Sequence, residues 1–199
     1  MAKTINKIGG KLILALALIR LKYSTCFKNK YIQIKNNIIN TKNKDLILSN
    51  YLIKSIISIE DKRFFHHIGI DLYSIFRAIV KNITSNRLEG ASTITQQLVR
   101  NITNNRELNF KRKISEIMLA VLVEKEFTKN EILNAYLNLY QFNFCVGISD
   151  FCKIERYNLN KLSNHECYEI AARFKYPKVN HINYIKFLKR VRTIERNNT

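Results

Sequence analysis

Residues 113–127 read KISEIMLAVLVEKEF, and this stretch decides the fold class. Its apolar residues recur at three- and four-residue spacing and so share one face of a helix: Ile114, Ile117, Met118, Val121 and Leu122. An amphipathic helix of this length has to bury its apolar face against other elements. The stretch therefore predicts a helical domain with a packed core.

The same periodicity continues along the chain on both sides of this stretch. An apolar helix face begins after Ser49, which is placed to cap that helix. Two pairs have the spacing of a capping box: Thr128 with Glu131, and Ser163 with Glu166. The other predicted helices cover residues 72–83, 92–101, 128–140, 167–175 and 183–195. Residues 84–90 (TSNRLEG) are polar and end in glycine, which predicts a mobile loop.

The composition supports the same fold class. The 199 residues are enough for one domain, and 46% of them are apolar, so a sizeable core can form. With only 5 Gly and 1 Pro, the chain lacks the turn residues that an all-β sandwich requires. We expect one mostly α domain over residues 45–199.

The chain is strongly basic. It has 34 Lys and Arg against 15 Asp and Glu, a formal net charge of +19, and its first 44 residues include ten basic and no acidic ones. Such a field attracts nucleic acid, anionic lipid headgroups and phosphorylated substrates alike. Charge alone does not choose among these partners.

The N-terminal region divides into two segments, residues 1–27 and residues 28–44. The first contains the apolar run LILALALI at residues 12–19, which is flanked by Lys and Arg and is shorter than the roughly 20 residues that span a bilayer. It resembles the apolar part of an export signal, or else serves as a short anchor with its N-terminus inside, which we favour. The second is predicted to be a basic connector with a short strand at Tyr31–Ile34.

The four cysteines show no CxxC spacing, which disfavours a zinc site: Cys26, Cys145, Cys152 and Cys167. In an oxidising compartment Cys145 and Cys152 are a candidate disulfide. The alternative is that all four are ordinary core or surface thiols.

Glu60 is the first candidate for chemistry. It follows Ile53, Ile56 and Ile57 on the apolar side of its helix, where a carboxylate is unexpected. A partly buried carboxyl group suits general acid–base catalysis. The alternative is that Glu60 only ends its helix and pairs with a nearby arginine.

A second candidate cluster lies in residues 90–101, GASTITQQLVRN. It offers five hydroxyl or amide side chains where a loop is predicted to enter a helix: Ser92, Thr93, Thr95, Gln96 and Gln97. Such groups, together with the free N–H groups of a helix N-terminus, suit sugar hydroxyls or phosphate oxygens. The alternative is a solvated helix start.

A third cluster combines Arg112, Lys113 and Glu116 on one helix, with Arg100 and Arg106 upstream. The cations are suited to hold a pyrophosphate, while Glu116 either orients them or binds a divalent ion. The alternative is an ordinary salt bridge between residues four positions apart.

Four motifs taken in order resemble those of the peptidoglycan glycosyltransferases, glycosyltransferase family 51. They are EDKRFFHHIG at 60–69, GASTITQQLVRN at 90–101, RKISE at 112–116 and KNEILNAYLN at 129–138. The resemblance implies a lysozyme-like helical domain with a small membrane-apposed lobe between the first two motifs. It also implies polymerisation of a lipid-linked disaccharide-peptide precursor into glycan, with inversion and release of undecaprenyl pyrophosphate.

The resemblance assigns roles to single positions. Glu60 matches the catalytic base, and Glu116 matches a second glutamate that organises the pyrophosphate and a bound Mg²⁺ or Mn²⁺. The other matches are substrate-binding residues: Arg77, Ser92, Thr93, Gln96, Gln97, Arg100, Arg112 and Lys113. Arg106, which lies two residues before the position of a family arginine, is also predicted to bind substrate. The implied partners are the precursor, the growing strand, membrane lipids and other cell-wall synthesis proteins, with no nucleic acid. The implied location is the extracytoplasmic face of the bacterial inner membrane.

Some positions depart from the family pattern. Leu108 stands where an arginine is usual, with Arg106 two residues early, and Asn134 replaces a glutamate. Two further readings therefore stay open: a relative that binds the precursor without polymerising it, and a glycan-cleaving enzyme that uses Glu60 as an acid.

Overall fold

The structure of the chain is a computed structural model that describes residues 2–44, 46, 48–85, 90–105, 107, 109–142 and 144–198. Within these residues the secondary structure is helical, apart from an isolated bridge between Gln141 and Val146 and a short 3₁₀ helix at Phe64–His66. The α-helices are α1 (Ala2–Tyr23), α2 (Thr25–Thr41), α3 (Asn50–Glu60), α4 (Leu72–Ser85), α5 (Ile94–Thr103), α6 (Phe110–Glu126), α7 (Lys129–Leu139), α8 (Ile148–Ile154), α9 (Asn164–Arg173) and α10 (Tyr184–Asn198). The predicted mostly α class is confirmed.

The chain forms two compact units. The first combines residues 1–43 with 64–136, and the second combines residues 44–63 with 137–199. The first unit holds α1, α2, α4, α5, α6 and most of α7, and the second holds α3, α8, α9 and α10. The predicted division at residues 27 and 44 stays a prediction.

Helix α6 is the centre of the first unit. It begins at Phe110, earlier than predicted, because the Asn109 side chain accepts a hydrogen bond of 2.7 Å from the Arg112 backbone N–H. From Leu119 to Val123 every residue is buried, and not only one face, because α1 and α5 both pack against this helix. The core of the first unit therefore surrounds α6.

The predicted strand at Tyr31–Ile34 is wrong, because this part of the chain lies in α2. Ser24 caps the helix by accepting a hydrogen bond from the Phe27 N–H, and one face of α2 is buried in the first unit through Phe27, Ile34 and Ile38. The buried face lies against α5 and α1. Packing of this face, and not the Lys- and Asn-rich composition, determines the helix.

Helix α1 extends well beyond the apolar run at residues 12–19. It packs closely on the segment that leads into α4: a Cβ at Gly9 or Gly10 would lie 2.3 Å from the side chain of Leu72 or Ile68. Asn6 is buried there and accepts a hydrogen bond of 2.8 Å from the Leu72 N–H. No helix within the described part of the chain combines the length and the apolarity needed to cross a bilayer.

The second unit is built on α3, which packs against α9 and α10. Leu52 and Ile56 are fully buried, and Ser49 caps α3 as predicted. The capping box of Ser163 and Glu166 is present at the start of α9. In the first unit, Thr128 and Glu131 exchange the same reciprocal hydrogen bonds.

All four cysteines are free thiols, so the structure contains no bond between Cys145 and Cys152. The predicted loop at residues 84–90 lies largely outside the described residues.

Gly69 is the position where the fold most clearly requires glycine. Its φ is +81°, and a Cβ there would lie 2.7 Å from the backbone carbonyl of Ala120 in α6. We expect Gly69→Ala to lower the free energy of unfolding by about 2 kcal/mol or more, because both the backbone conformation and the contact become unfavourable. Urea unfolding measures this change.

Gly90→Ala is the matched control for Gly69→Ala. A Cβ at Gly90 would meet nothing within 4 Å, so its effect should stay within about 0.5 kcal/mol. Equal effects of the two substitutions would contradict the close approach of Gly69 to α6.

Candidate active site

The carboxylate of Glu116 is the centre of a cluster of cations in the first unit. Its side chain is only 3% exposed, and it accepts hydrogen bonds of 3.0 and 2.9 Å from Nε and Nη2 of Arg100. Lys113 Nζ lies 2.8 Å from Glu116 Oε1, the oxygen that also accepts from Arg100 Nη2, and the Arg112 guanidinium pairs with Oε2. Three positive groups therefore surround one buried negative group.

The local sequence explains this arrangement. Arg112 and Lys113 precede Glu116 by four and three positions in α6, so their side chains lie on the same helix face. Arg100 reaches the carboxylate from α5, which packs against α6. From the sequence, an ordinary salt bridge between Arg112 and Glu116 is the alternative to a binding site. That salt bridge is present, and it is one part of a larger cluster.

Burial and charge change the pKa values in this cluster. Burial alone would raise the pKa of the Glu116 carboxyl, but the hydrogen bonds from Arg100 and Lys113 outweigh it and hold that pKa below its usual value. Burial lowers the pKa of Lys113, and the neighbouring Arg100 and Arg112 lower it further, against the opposing effect of Glu116. The carboxylate is thus strongly held in its ionised form.

Ser92 and Gln96, from the second candidate cluster, both contact Lys113 of the third cluster. The ammonium group of Lys113 donates hydrogen bonds of 2.9 Å to Ser92 Oγ and 2.7 Å to Gln96 Oε1. Arg100 Nη2 also lies 3.4 Å from Ser92 Oγ. Hydroxyl, amide and cationic groups therefore converge on one locus, which is a suitable setting for an oxyanion of a sugar phosphate.

Thr93 and Gln96 also have roles inside the protein. Both are buried, and both donate hydrogen bonds to the carbonyl of Gly69, from Thr93 Oγ1 at 3.0 Å and from Gln96 Nε2 at 2.9 Å. Gln97 accepts a hydrogen bond of 3.0 Å from the hydroxyl of Tyr136. These contacts fix the start of α5, and substrate contacts of the three residues stay predictions.

Glu60 belongs to the second unit and is the last residue of α3. Its side chain is 10% exposed, and it accepts a hydrogen bond from the Arg190 guanidinium of α10. The alternative prediction for Glu60, that it ends its helix and pairs with a nearby arginine, therefore describes its contacts correctly. The catalytic role of Glu60 stays a prediction.

Arg190 is a residue that the sequence reasoning missed. In α10 it lies on the same helix face as the buried Phe187 and Ile194. A cation on an apolar helix face is the sequence signal that could have identified it. Its Nε atom is buried and has no hydrogen-bond partner among the described residues. Arg190 therefore holds Glu60 with only part of its hydrogen-bonding capacity.

Arg77 and Arg106 are the remaining predicted substrate-binding residues. Arg77 is exposed on α4, on a helix that also exposes large apolar side chains such as Phe76 and Ile83, at 67% and 78%. Arg106 lies outside the described residues. A role of either in binding substrate stays a prediction.

The residues present do not fit a divalent cation held directly by Glu116. Both of its oxygens already accept hydrogen bonds from positive groups, and a metal ion would be placed among three cations. Within the described ranges, no three His, Cys, Asp or Glu side chains are grouped to hold a metal ion. The predicted Mg²⁺ or Mn²⁺ stays a prediction.

In the first unit, a buried glutamate surrounded by cations lies beside hydroxyl and amide groups, an arrangement suited to oxyanionic ligands. The comparison with protein families identifies the family. The family model described as Transglycosylase matches residues 30–198. The chain therefore belongs to the transglycosylase family.

Individual relatives are similar over part of the chain. Penicillin-binding protein 1A of Rickettsia conorii is 47% identical over 91 residues, which cover 44% of this chain and 12% of the relative. Penicillin-binding protein 1A of Clostridium perfringens is 40% identical over 126 residues, 58% of this chain and 18% of the relative. The monofunctional glycosyltransferase of Staphylococcus epidermidis is 40% identical over 109 residues, 55% of this chain and 39% of the relative. The similarity thus spans less than half the length of each relative.

Proposed function

We propose that the chain is a peptidoglycan glycosyltransferase that joins lipid-linked disaccharide-peptide units into glycan strands. Each step inverts the donor linkage and releases undecaprenyl pyrophosphate. Membership of the transglycosylase family supports the reaction class. The observation that carries the proposal is the cluster of Arg100, Arg112 and Lys113 around Glu116, with Ser92 and Gln96 beside it.

The cluster suits the leaving group of this reaction. As the bond between the anomeric carbon and the diphosphate breaks, negative charge develops on the diphosphate oxygens, and fixed cations stabilise that charge. Glu116 holds Arg100, Arg112 and Lys113 in place before substrate binds, so little reorganisation is needed during the reaction. In this proposal Glu116 orients the cations and the cations bind the diphosphate.

Glu60 is the proposed general base. Its carboxylate takes the proton from the 4-hydroxyl of the acceptor sugar, and the hydroxyl oxygen then attacks the anomeric carbon of the donor. Arg190 holds the carboxylate in one position through its hydrogen bond. Fixing a base in this way keeps it aligned with the proton that it removes.

The proposed place of action is the extracytoplasmic face of the bacterial inner membrane. Helices α1 and α4 expose large apolar residues in the first unit, among them Leu12 at 66% and Phe76 at 67%. Exposed Arg77 and Lys81 on α4 add positive charge beside this apolar surface. Apolar side chains with flanking cations bind well to anionic lipid surfaces.

A second candidate function is favoured by the pairing of Glu60 with Arg190. A carboxylate whose oxygen already accepts a hydrogen bond from an arginine is less available to a sugar hydroxyl, so in this reading the chain binds the lipid-linked precursor without polymerising it. The two functions differ in product and share the first binding step.

Incubation of the purified chain with radiolabelled lipid-linked precursor tests the proposal. We expect label to enter glycan strands too large to migrate as single units on a gel. Binding of the precursor with no strand formation would favour the second candidate, and neither binding nor strand formation would contradict both.

A further inference from the structure

A cavity in the first unit adjoins the cluster around Glu116, and both Arg112 and Glu116 lie in its lining. It has a volume of about 280 Å³, close to the lower end of the size range of small-ligand sites. Its walls come from α1, α2, α5, α6 and the segment that leads into α6. Four cations line it: Arg20, Lys30, Lys111 and Arg112.

Three of these cations form no ion pair within the described part of the chain. No described carboxylate pairs with Arg20, Lys30 or Lys111. Arg20 contacts the sulfur of Met118 at 3.7 Å and lies over the ring of Phe27, and neither is an anion. Like charges that converge on one cavity repel each other, so an anionic ligand is the expected counterpart.

The acidic residues of the cavity do not provide that counterpart. Glu116 is already engaged by Arg100, Arg112 and Lys113. Glu107 is exposed at the edge. The N-terminal end of α6, which begins at Phe110, also contributes partial positive charge to this region.

The cavity is distinct from the locus where Lys113 meets Ser92 and Gln96, because none of these three residues lines it. Arg112 is common to both, since it lines the cavity and also pairs with Glu116. Arg20 lies outside the part of the chain that the family model matches, residues 30–198. The cavity therefore includes a residue of α1 that precedes the matched range.

We propose that this cavity binds a phosphate group, with Arg20 of α1 and Lys30 of α2 as its principal cations and Arg112 at its base. The phosphate belongs either to a diphosphate or to the headgroup of an anionic phospholipid, and both present the same oxyanion chemistry to the cavity. Arginine and lysine bind phosphate oxygens through charge-assisted hydrogen bonds. The inference stands on the cavity and its charges and does not require the proposed polymerase activity.

Titration of the ¹⁵N-labelled full chain with inorganic pyrophosphate, followed by NMR, tests the proposal. Thr103 and Ser115 line the cavity and report on it, whereas Ser92 and Gln96 report on the locus around Lys113. We expect the amide signals of Thr103 and Ser115 to shift. The double substitution Arg20→Gln with Lys30→Gln should weaken this response about tenfold or more.

Lys22→Gln with Lys28→Gln is the matched control. It removes the same charge from the same two helices, at exposed positions that do not line the cavity. We expect the control to change the pyrophosphate affinity by no more than about twofold, through the general field alone. Lys111→Gln, an exposed substitution in the cavity wall, gives a second variant in case the double variant does not fold, and should weaken binding about threefold.

A second arm measures binding to vesicles of phosphatidylglycerol and of phosphatidylcholine. A pyrophosphate response that depends on Arg20 and Lys30 supports the site with a diphosphate as the source. A loss of phosphatidylglycerol binding that is larger in Arg20→Gln with Lys30→Gln than in the control supports the site with a lipid headgroup as the source. Equal behaviour of the two double variants toward both probes would overturn the proposal. Polymerisation is measured separately, so failure of one proposal leaves the other intact.

Discussion

Glu60→Gln is expected to lower the rate of glycan polymerisation about a thousandfold or more, while the affinity for the lipid-linked precursor stays within about threefold. The amide keeps the size of the side chain and still accepts a hydrogen bond from Arg190, but it does not take a proton from the acceptor hydroxyl. Polymerisation rates with radiolabelled precursor and equilibrium binding of the same precursor measure the two effects.

Asp150→Asn is the control for the Glu60 substitution. It removes one carboxylate from the second unit. The Asp150 side chain is 62% exposed and forms a long, exposed ion pair of 3.6 Å with Lys153. Its polymerisation rate should equal that of the unchanged chain. If Glu60→Gln retained full activity, another group would have to be the base.

Glu116→Gln is expected to reduce both activity and stability. Polymerisation should fall about a hundredfold or more, because Arg100, Arg112 and Lys113 lose the carboxylate that orients them toward the diphosphate. The free energy of unfolding at neutral pH should fall by about 3 kcal/mol, since three cations lose a buried counter-charge. Polymerisation assays and urea unfolding measure these changes.

The stability effect of Glu116 should depend on pH in a defined direction. The folded protein holds the pKa of Glu116 below its ordinary value of 4.5, so the stabilisation is fully present above that value and is lost as the pH falls through the lowered folded-state pKa. Glu116→Gln should therefore flatten the acid limb of the stability profile.

Glu126→Gln is the control on the same helix. Glu126 pairs with Lys35 at the surface, with side chains 33% and 42% exposed, so the substitution should cost less than about 1 kcal/mol and leave polymerisation unchanged. A loss from Glu116→Gln as small as this would show that Glu116 is not the centre of the cation cluster.

The parts of the fold that sequence predicted well are those in which local pattern and packing agree. Ser49 and Ser163 cap their helices as expected, because a side-chain oxygen next to the first free N–H groups stabilises a helix start regardless of tertiary context. The helix over Glu116 was predicted from its apolar spacing. The sequence did not predict that every residue of Leu119–Val123 is buried, because this burial depends on both α1 and α5 packing against the helix.

Helix α2 shows why the rest of the fold escaped prediction. Its buried residues Phe27, Ile34 and Ile38 are separated by Lys and Asn, whose intrinsic preferences do not distinguish a helix from a connector. Packing against α5 stabilises α2 as a helix, and the local sequence pattern does not reveal that contact. The same holds for Arg20 and Lys30, whose convergence on one cavity depends on how two helices pack.

The candidate site divides in the same way. The contacts of Arg112 and Lys113 with Glu116 follow from helical spacing. The contribution of Arg100 depends on a second helix, α5. Arg100 was grouped with this cluster from the sequence, but its contact with Glu116 comes from the packing of α5 on α6. The internal roles of Thr93 and Gln96 at the Gly69 carbonyl depend on a backbone turn that the sequence does not specify.

In the proposed reaction a diphosphate leaves the donor sugar, and the cation cluster binds it as a new glycosidic bond forms. The most direct test is to count polyprenyl diphosphate molecules released per glycosidic bond formed when the purified chain acts on lipid-linked precursor, and to determine the configuration of each new bond. We expect one diphosphate for each bond, with the configuration inverted from that of the donor. Bond cleavage in existing strands without diphosphate release, or retention of configuration, would contradict the account.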